Sequence, residues 1–159
     1  MALPESLDID RLNAMVPSFN KESDRGAAIL AGSFLEHYLG LFLKSKTVDE
    51  AVSEKLFSSM GPLSTFSQRI AIAYAFGFID KQSYAALENI RKIRNYFAHH
   101  PVNGSFEDEE VKKRVLLLPT YGGSPSEYST AHARQVYLFT CAVFCGNFEK
   151  NMRTHSAKK

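Results

Sequence analysis

The chain has 159 residues, of which 45% are hydrophobic and 23% charged, a balance typical of one globular domain. With 19 basic and 17 acidic side chains its formal net charge is only +2, so composition does not indicate a dedicated nucleic-acid binder. No apolar run reaches the roughly 18 residues that a membrane helix needs, and the two cysteines predict buried thiols in a reducing cytoplasm. We therefore expect a single cytoplasmic domain without membrane contact over residues 1–159, with its core at about 6–151 and a flexible basic tail at 152–159.

The first strong helical pattern follows Asp24, whose carboxylate is expected to cap a helix that runs to about Lys44. Helical spacing places its larger apolar residues on one side: Ile29, Leu30, Phe34, Leu35, Tyr38, Leu39 and Phe42. The other side carries Glu36, together with Gly26 and Gly40. Because glycine has no side chain, those two positions are expected to let a neighbouring helix approach closely.

Turn and capping residues divide the rest of the chain into further helices. Gly61 and Pro62 break the chain, and Ser64 or Thr65 can cap the helix that follows. Gly77 ends that helix, Asp80 caps the next, and Pro101 stops that one. The predicted helices lie at about 48–57, 64–74, 80–99, 107–115 and 129–151, with the longest loop at 116–127. Since no alternating pattern is long enough to build a sheet, the sequence predicts an all-α fold, a single multi-helix bundle.

Arg94 is the most unusual residue in this pattern. In the helix that ends at His99, an arc about 120° wide includes Arg94 among five apolar residues. The five are Ala86, Leu87, Ile90, Ile93 and Phe97. An arginine keeps its charge, so on a core-facing arc it needs a carboxylate, a helix end, a partner subunit or a phosphate. Glu36, midway along the polar side of the 24–44 helix, is the first expected partner, which would make Arg94 chiefly structural.

Asn95 and His99 share a different side of the same helix. The imidazole of His99 is expected among terminal carbonyl groups, where the helix dipole favours its protonated form. On a regular helix Arg94 and His99 are about 140° apart, so one subunit would not direct both at a single atom. A distorted helix end, or two copies meeting across a symmetric interface, would bring them together.

Two resemblances add to this interpretation. The run Arg94-Asn95-Tyr96-Phe97-Ala98-His99 is similar to the Arg-x4-6-His motif of HEPN domains, helical modules that include metal-independent endoribonucleases. The segments at 19–26, 34–36, 61–70 and 90–99 resemble the mannitol-operon-repressor (MltR-like) family. That resemblance implies an all-α, HEPN-like bundle, self-association and a role in repressing mannitol uptake and utilisation.

The resemblances leave two functions open. The first is a transcriptional regulator that acts as a homodimer through a protein partner, because the sequence contains no helix-turn-helix with a basic recognition helix and direct DNA binding is not expected. The alternative is a metal-independent endoribonuclease. In that case His99 would be the general acid or base, Arg94 would stabilise transition-state charge, and Asn95 would orient groups on an RNA substrate. Whether the chain is an enzyme therefore stays open.

A purely structural role is a third interpretation, in which Arg94 and Asn95 hold neighbouring helix ends and His99 is only a C-terminal cap. The five histidines show no spacing typical of a zinc site, and the Gly122-Gly123 pair is an ordinary turn rather than a phosphate-binding loop. We therefore expect neither a metal nor a cofactor.

Overall fold

The computed structural model describes residues 17, 19–119 and 130–156, and these fold into a helical bundle. The helices are α1 (Asp24–Lys44), α2 (Glu50–Phe57), α3 (Phe66–Ala75), α4 (Lys81–His99), α5 (Glu109–Val115) and α6 (Thr130–Ser156). Within the described residues no β-strand occurs, so the all-α prediction is confirmed.

α1 is the central helix of the bundle: it packs most extensively against α6 and also against α4 and α3. Its buried residues include Ala27, Ala28, Ala31, Gly32, Leu35, Tyr38, Leu39, Gly40, Phe42 and Leu43. Leu30, one of the residues on the apolar side of this helix, is 41% exposed, so that side is not buried throughout. Small residues take up much of the buried face because short side chains let α6 and α4 approach the axis of α1.

α1 also meets, by length and composition alone, the criteria for a helix that crosses a membrane. It has 21 residues, and its most apolar window has a mean hydropathy of 1.4. The prediction that no segment is long and apolar enough to cross a membrane is therefore wrong by this criterion. However, 56% of that window is buried inside the bundle, as in the core helix of a soluble protein.

The N-terminal cap of α1 is Ser23 rather than the predicted Asp24. The Ser23 hydroxyl accepts a hydrogen bond from the Gly26 N–H at 3.1 Å, and Asp24 occupies the first turn of the helix. Serine and aspartate are similarly good N-terminal caps. Because Ser23 directly precedes Asp24, the observed helix start differs from the predicted one by only one residue.

Asp24 instead joins α1 to α6 and to the segment before α5. Its Oδ1 accepts from Arg134 Nη1 at 2.8 Å, while its Oδ2 accepts from Ser105 Oγ and Phe106 N at 3.1 Å each. Burial acts to raise the pKa of Asp24, but these hydrogen bonds outweigh it and hold the pKa below the ordinary value. Arg134 also donates to the main-chain oxygen of Phe19 at 2.6 Å, which fixes the chain just before α1.

The predicted start and stop signals of the middle helices are present in the structure. Thr65 and Gln68 form a capping box at the start of α3, with each residue hydrogen-bonded to the main chain of the other. Gly77, which follows α3, has a φ of +70°, a conformation that favours glycine. The Asp80 carboxylate accepts from the Ser83 N–H at 2.7 Å and caps α4.

α6 differs from its prediction in length. It continues to Ser156 instead of ending near Asn151, and its Phe139 side chain is 55% exposed. Cys141 and Cys145 are buried free thiols, and burial raises the pKa of Cys145 to about 12. Residues 1–16, 120–129 and 157–159, which include the predicted start of the core, most of the long loop and the end of the tail, lie outside the described residues.

Candidate functional site

Arg94 lies between α4 and α1 and forms an ion pair with Glu36. The five apolar residues that share its arc on α4 are all buried. Arg94 Nη1 is 2.6 Å from Glu36 Oε2, and the two side chains are 21% and 20% exposed. A Cβ at Gly32 would lie 2.9 Å from Arg94 Cγ, so the glycine makes room for the stem of the arginine. The close approach of α4 to α1 at Gly32 therefore brings the Arg94 guanidinium to the Glu36 carboxylate.

A second arginine, Arg69 of α3, reaches the same residue from the other side. Its Nη1 donates to the main-chain oxygen of Glu36 at 3.1 Å, and its Nε donates to the main-chain oxygen of Leu63 at 2.9 Å. A Cβ at Gly40 would lie 3.0 Å from Arg69 Nη1. Gly32, Glu36 and Gly40 are four residues apart, so they form one line along α1. We call Glu36, Arg69 and Arg94 the Glu36 cluster.

Aromatic rings lie beside both guanidinium groups. The Cζ of Arg94 is 5.4 Å from the centre of the Phe66 ring, and the Cζ of Arg69 is 5.7 Å from that of Phe57. Both distances are within the range of cation–π attraction. The rings therefore support the two guanidinium groups and exclude water from one side of each.

The cluster carries more positive than negative charge. Burial lowers the pKa of Arg69, and the nearby Glu36 carboxylate opposes that change. The pKa of His37, the next residue on α1, is also lowered, first by burial and then by the positive charges of Arg69 and Lys44. The neutral form of His37 is therefore favoured beside the positive charges of Arg69 and Lys44.

The structure does not gather Arg94, Asn95 and His99 around one point. α4 is a regular helix as far as His99, so Arg94 contacts α1 while His99, about 7.5 Å further along the axis, is exposed at the helix end. Asn95 is half-buried. The catalytic roles assigned to these three residues stay predictions.

His100, rather than His99, makes the contacts at the end of α4. Its Nδ1 lies 2.8 Å from the main-chain oxygen of Tyr96, and the two rings stack with their centres 4.0 Å apart. The Tyr96 hydroxyl donates to Asp108 at 2.9 Å, and Arg25 Nε donates to the main-chain oxygen of Phe97 at 3.2 Å. The main-chain oxygens near the end of α4 are thus contacted by His100 and Arg25. The residue predicted for this role was His99.

A family model described as mannitol repressor matches residues 28–131, about two thirds of the chain. The chain belongs to the mannitol repressor family. Comparisons with curated proteins and with solved structures find no match. The family assignment based on four short segments is therefore confirmed, while the HEPN-like motif rests on the sequence run alone.

The match to the mannitol repressor family spans the whole Glu36 cluster and the end of α4. Arg69 had no predicted role, although this residue lies in the 61–70 segment that carries the family resemblance. Two features of the sequence could have indicated its role. Arg69 lies in the first turns of a capped helix, and Gly40 was already expected to let a neighbouring helix approach closely. Gly32, the glycine that faces Arg94, had no predicted role, although it lies four residues before Glu36 and so on the same line of α1.

Proposed function

We propose that this member of the mannitol repressor family represses gene expression through a protein partner instead of by direct sequence-specific contact with DNA. Family membership supports the regulatory role. The indirect route is supported mainly by the arrangement of charge on the helices.

Four of the six basic side chains in the two basic runs at 91–94 and 112–114 have acidic partners. The pairs are Arg91 with Glu88, Arg94 with Glu36, Lys112 with Glu107, and Arg114 with Glu110. A recognition helix needs a row of basic and polar side chains that are free to contact phosphates and base edges. In the described part of the chain, ion pairs within or between helices use much of this charge instead. This observation is the main support for the proposal.

An exposed aromatic surface supports contact with another protein. Tyr74, Phe76 and Phe78, at the end of α3 and in the turn that follows, are 41%, 69% and 41% exposed, and we call them the aromatic surface. The rings of Phe76 and Phe78 stack with centres 6.2 Å apart, which keeps both in place. Exposed aromatic residues are enriched at protein interfaces, where they bury a large area at little cost in side-chain entropy.

The first test measures DNA binding by the purified protein. We expect no mobility shift with DNA from upstream of mannitol genes at nanomolar concentration and physiological salt, because nonspecific electrostatic binding is weak under these conditions. A shift that persists in the presence of competitor DNA would overturn the proposal.

The second test measures repression in cells that carry a reporter gene under the control of a promoter of mannitol genes. Phe76→Ser is expected to relieve repression, because it removes the most exposed ring of the aromatic surface. The matched control is Met60→Ser, since Met60 is 95% exposed but lies between α2 and α3, outside that surface. Equal repression by both variants would contradict a partner contact at the aromatic surface. Conversion of a dimer to a monomer by Phe76→Ser would show that the surface binds a second copy of the chain.

A further inference from the structure

The Glu36 cluster leaves one guanidinium group without a carboxylate of its own. Glu36 Oε2 accepts from Arg94, whereas the hydrogen bonds of Arg69 go to two neutral main-chain oxygens. A guanidinium has five N–H donors and keeps its charge, so such a partly buried group favours a nearby anion. Arg69 is therefore an excess positive charge that is only partly solvated.

Two further basic side chains of α1, Lys44 and His37, lie near Arg69. Lys44 Nζ and Arg69 Cζ are each 5.7 Å from the centre of the Phe57 ring. The positive charges of both lower the pKa of His37. Lys44 pairs with Glu54 of α2 at 2.8 Å, but that carboxylate is 68% exposed and solvent screens it strongly. Counting Glu36 and Glu54 against Arg69, Arg94 and Lys44, the region retains one positive charge while His37 is neutral.

We propose that the Glu36 cluster binds a small oxyanion of the phosphate class between Arg69 and Arg94. Both arginines use Nη1 to contact atoms of Glu36, which leaves each guanidinium with a further NH2 group that can donate. A planar carboxylate is matched to one guanidinium fork, whereas the terminal oxygens of a phosphate can accept from two. This site goes beyond the proposed function, because it requires neither a protein partner nor the aromatic surface.

Binding of such an anion is coupled to the protonation of His37. The bound negative charge offsets Arg69 and Lys44, the two positive charges that now disfavour the imidazolium form. The pKa of His37 therefore rises in the complex, and binding takes up a proton. It follows that affinity increases as the pH falls through the range in which His37 titrates.

The first experiment follows the imidazole signals of His37 by NMR between about pH 5 and 8, in sodium sulfate and in sodium chloride at equal ionic strength. Sulfate is the probe because it stays a dianion over this range, so any pH dependence belongs to the protein. We expect the pKa of His37 to be higher in sulfate than in chloride. A pKa of His37 that is the same in both salts would overturn the proposal.

The second experiment measures sulfate and inorganic phosphate binding by calorimetry to the wild type, Arg69→Gln, Arg69→Lys and Lys92→Gln. Because Arg69→Gln removes a charged donor, we expect this variant to bind both anions at least about tenfold more weakly than the wild type. Arg69→Lys keeps the charge but loses the second NH2 group, so it should bind with intermediate affinity. Lys92→Gln removes an exposed charge of α4 outside the cluster and should bind as the wild type does. Equal weakening by Lys92→Gln and Arg69→Gln would show that only net charge matters. Full affinity in both Arg69 variants would show that Arg69 takes no part in binding. Either result would overturn the site.

Discussion

Arg94 and His99 differ sharply in environment although they lie only five residues apart on α4. Arg94 contacts α1 through an ion pair and a glycine, its guanidinium lies beside the Phe66 ring of α3, and it is about one-fifth exposed. His99 is the last residue of the helix and is exposed, while the adjacent His100 binds the helix end. The same short motif thus spans an interface between helices and a free surface.

This difference shows why a sequence motif does not by itself define a site. A regular helix turns by about 100° per residue, so two residues five positions apart point in different directions unless the helix is distorted. In this chain Arg94 is tied to the fold by Glu36, which lies 58 residues earlier. Arg94 therefore has a structural use that needs no contribution from His99.

The largest effect should come from Arg94→Ala. This substitution leaves Glu36 without its ion-pair partner between two helices. We expect a loss of about 2–3 kcal/mol in the free energy of unfolding, less than for a fully buried pair because both side chains are partly exposed. The melting temperature should fall by about 5–10 °C. The matched control is Arg91→Ala, whose pair with Glu88 is similarly exposed but lies within α4, so the loss should stay below about 1 kcal/mol.

Gly32→Ala should have the next largest effect, because its Cβ would lie 2.9–3.0 Å from three carbons of the Arg94 stem. Overpacking is expected to outweigh the better helix propensity of alanine and to destabilise the fold by about 1–2 kcal/mol in chemical denaturation. Gly146→Ala in α6 is the control, since nothing lies within 4 Å of the added Cβ and the substitution should stabilise by up to about 1 kcal/mol. Equal behaviour of the two variants would mean that Arg94 does not pack closely on α1.

The two histidines at the end of α4 should differ by a smaller amount. His100→Ala removes the stacked ring on Tyr96 and the contact with its main-chain oxygen, so a loss of about 1 kcal/mol is expected. His99→Ala removes an exposed imidazole and should change the stability by less than about 0.5 kcal/mol. Thermal melts of the two variants at one pH compare them directly. A larger loss for His99→Ala would restore the predicted capping role of His99.

The enzymatic alternative predicts the opposite pattern for activity. The assay follows the cleavage of labelled RNA in the absence of metal ions by the wild type, Arg94→Ala and His99→Ala. If Arg94 is structural, we expect no cleavage by any of these three proteins. Cleavage by the wild type that disappears in both variants, with unchanged melting temperatures, would show that the two residues act together in catalysis.

Most of the fold could be predicted because its signals are local. Asp80, Gly77 and Thr65 set helix ends through contacts within a few residues, and each acts as the sequence indicates. The error at Asp24 has a physical cause: the residue is a good cap in isolation, but Arg134, 110 residues later, binds its carboxylate instead. The extra length of α6 also had no local signal, since no proline or glycine marks its end.

The candidate site could be predicted only in part for the same reason. Arg94 was noticeable as a charge on an apolar arc, and Glu36 was the acidic residue midway along the other long helix. Arg69 and Gly32 depend on how α3 and α4 cross α1, which helical periodicity does not specify. Helix periodicity shows which side of a helix is buried, but not which residue of another helix it meets.

The most direct test of the account is a double-mutant cycle on Arg94→Ala and Glu36→Ala, measured by chemical denaturation. A specific ion pair between α4 and α1 predicts a coupling energy of about 1–2 kcal/mol, so the double variant should be less destabilised than the sum of the two single variants. The same cycle on Arg91 and Glu88 should give no more than about 0.5 kcal/mol. Losses at Arg94 and Glu36 that add without coupling would contradict the claim that Arg94 is held in the fold by Glu36.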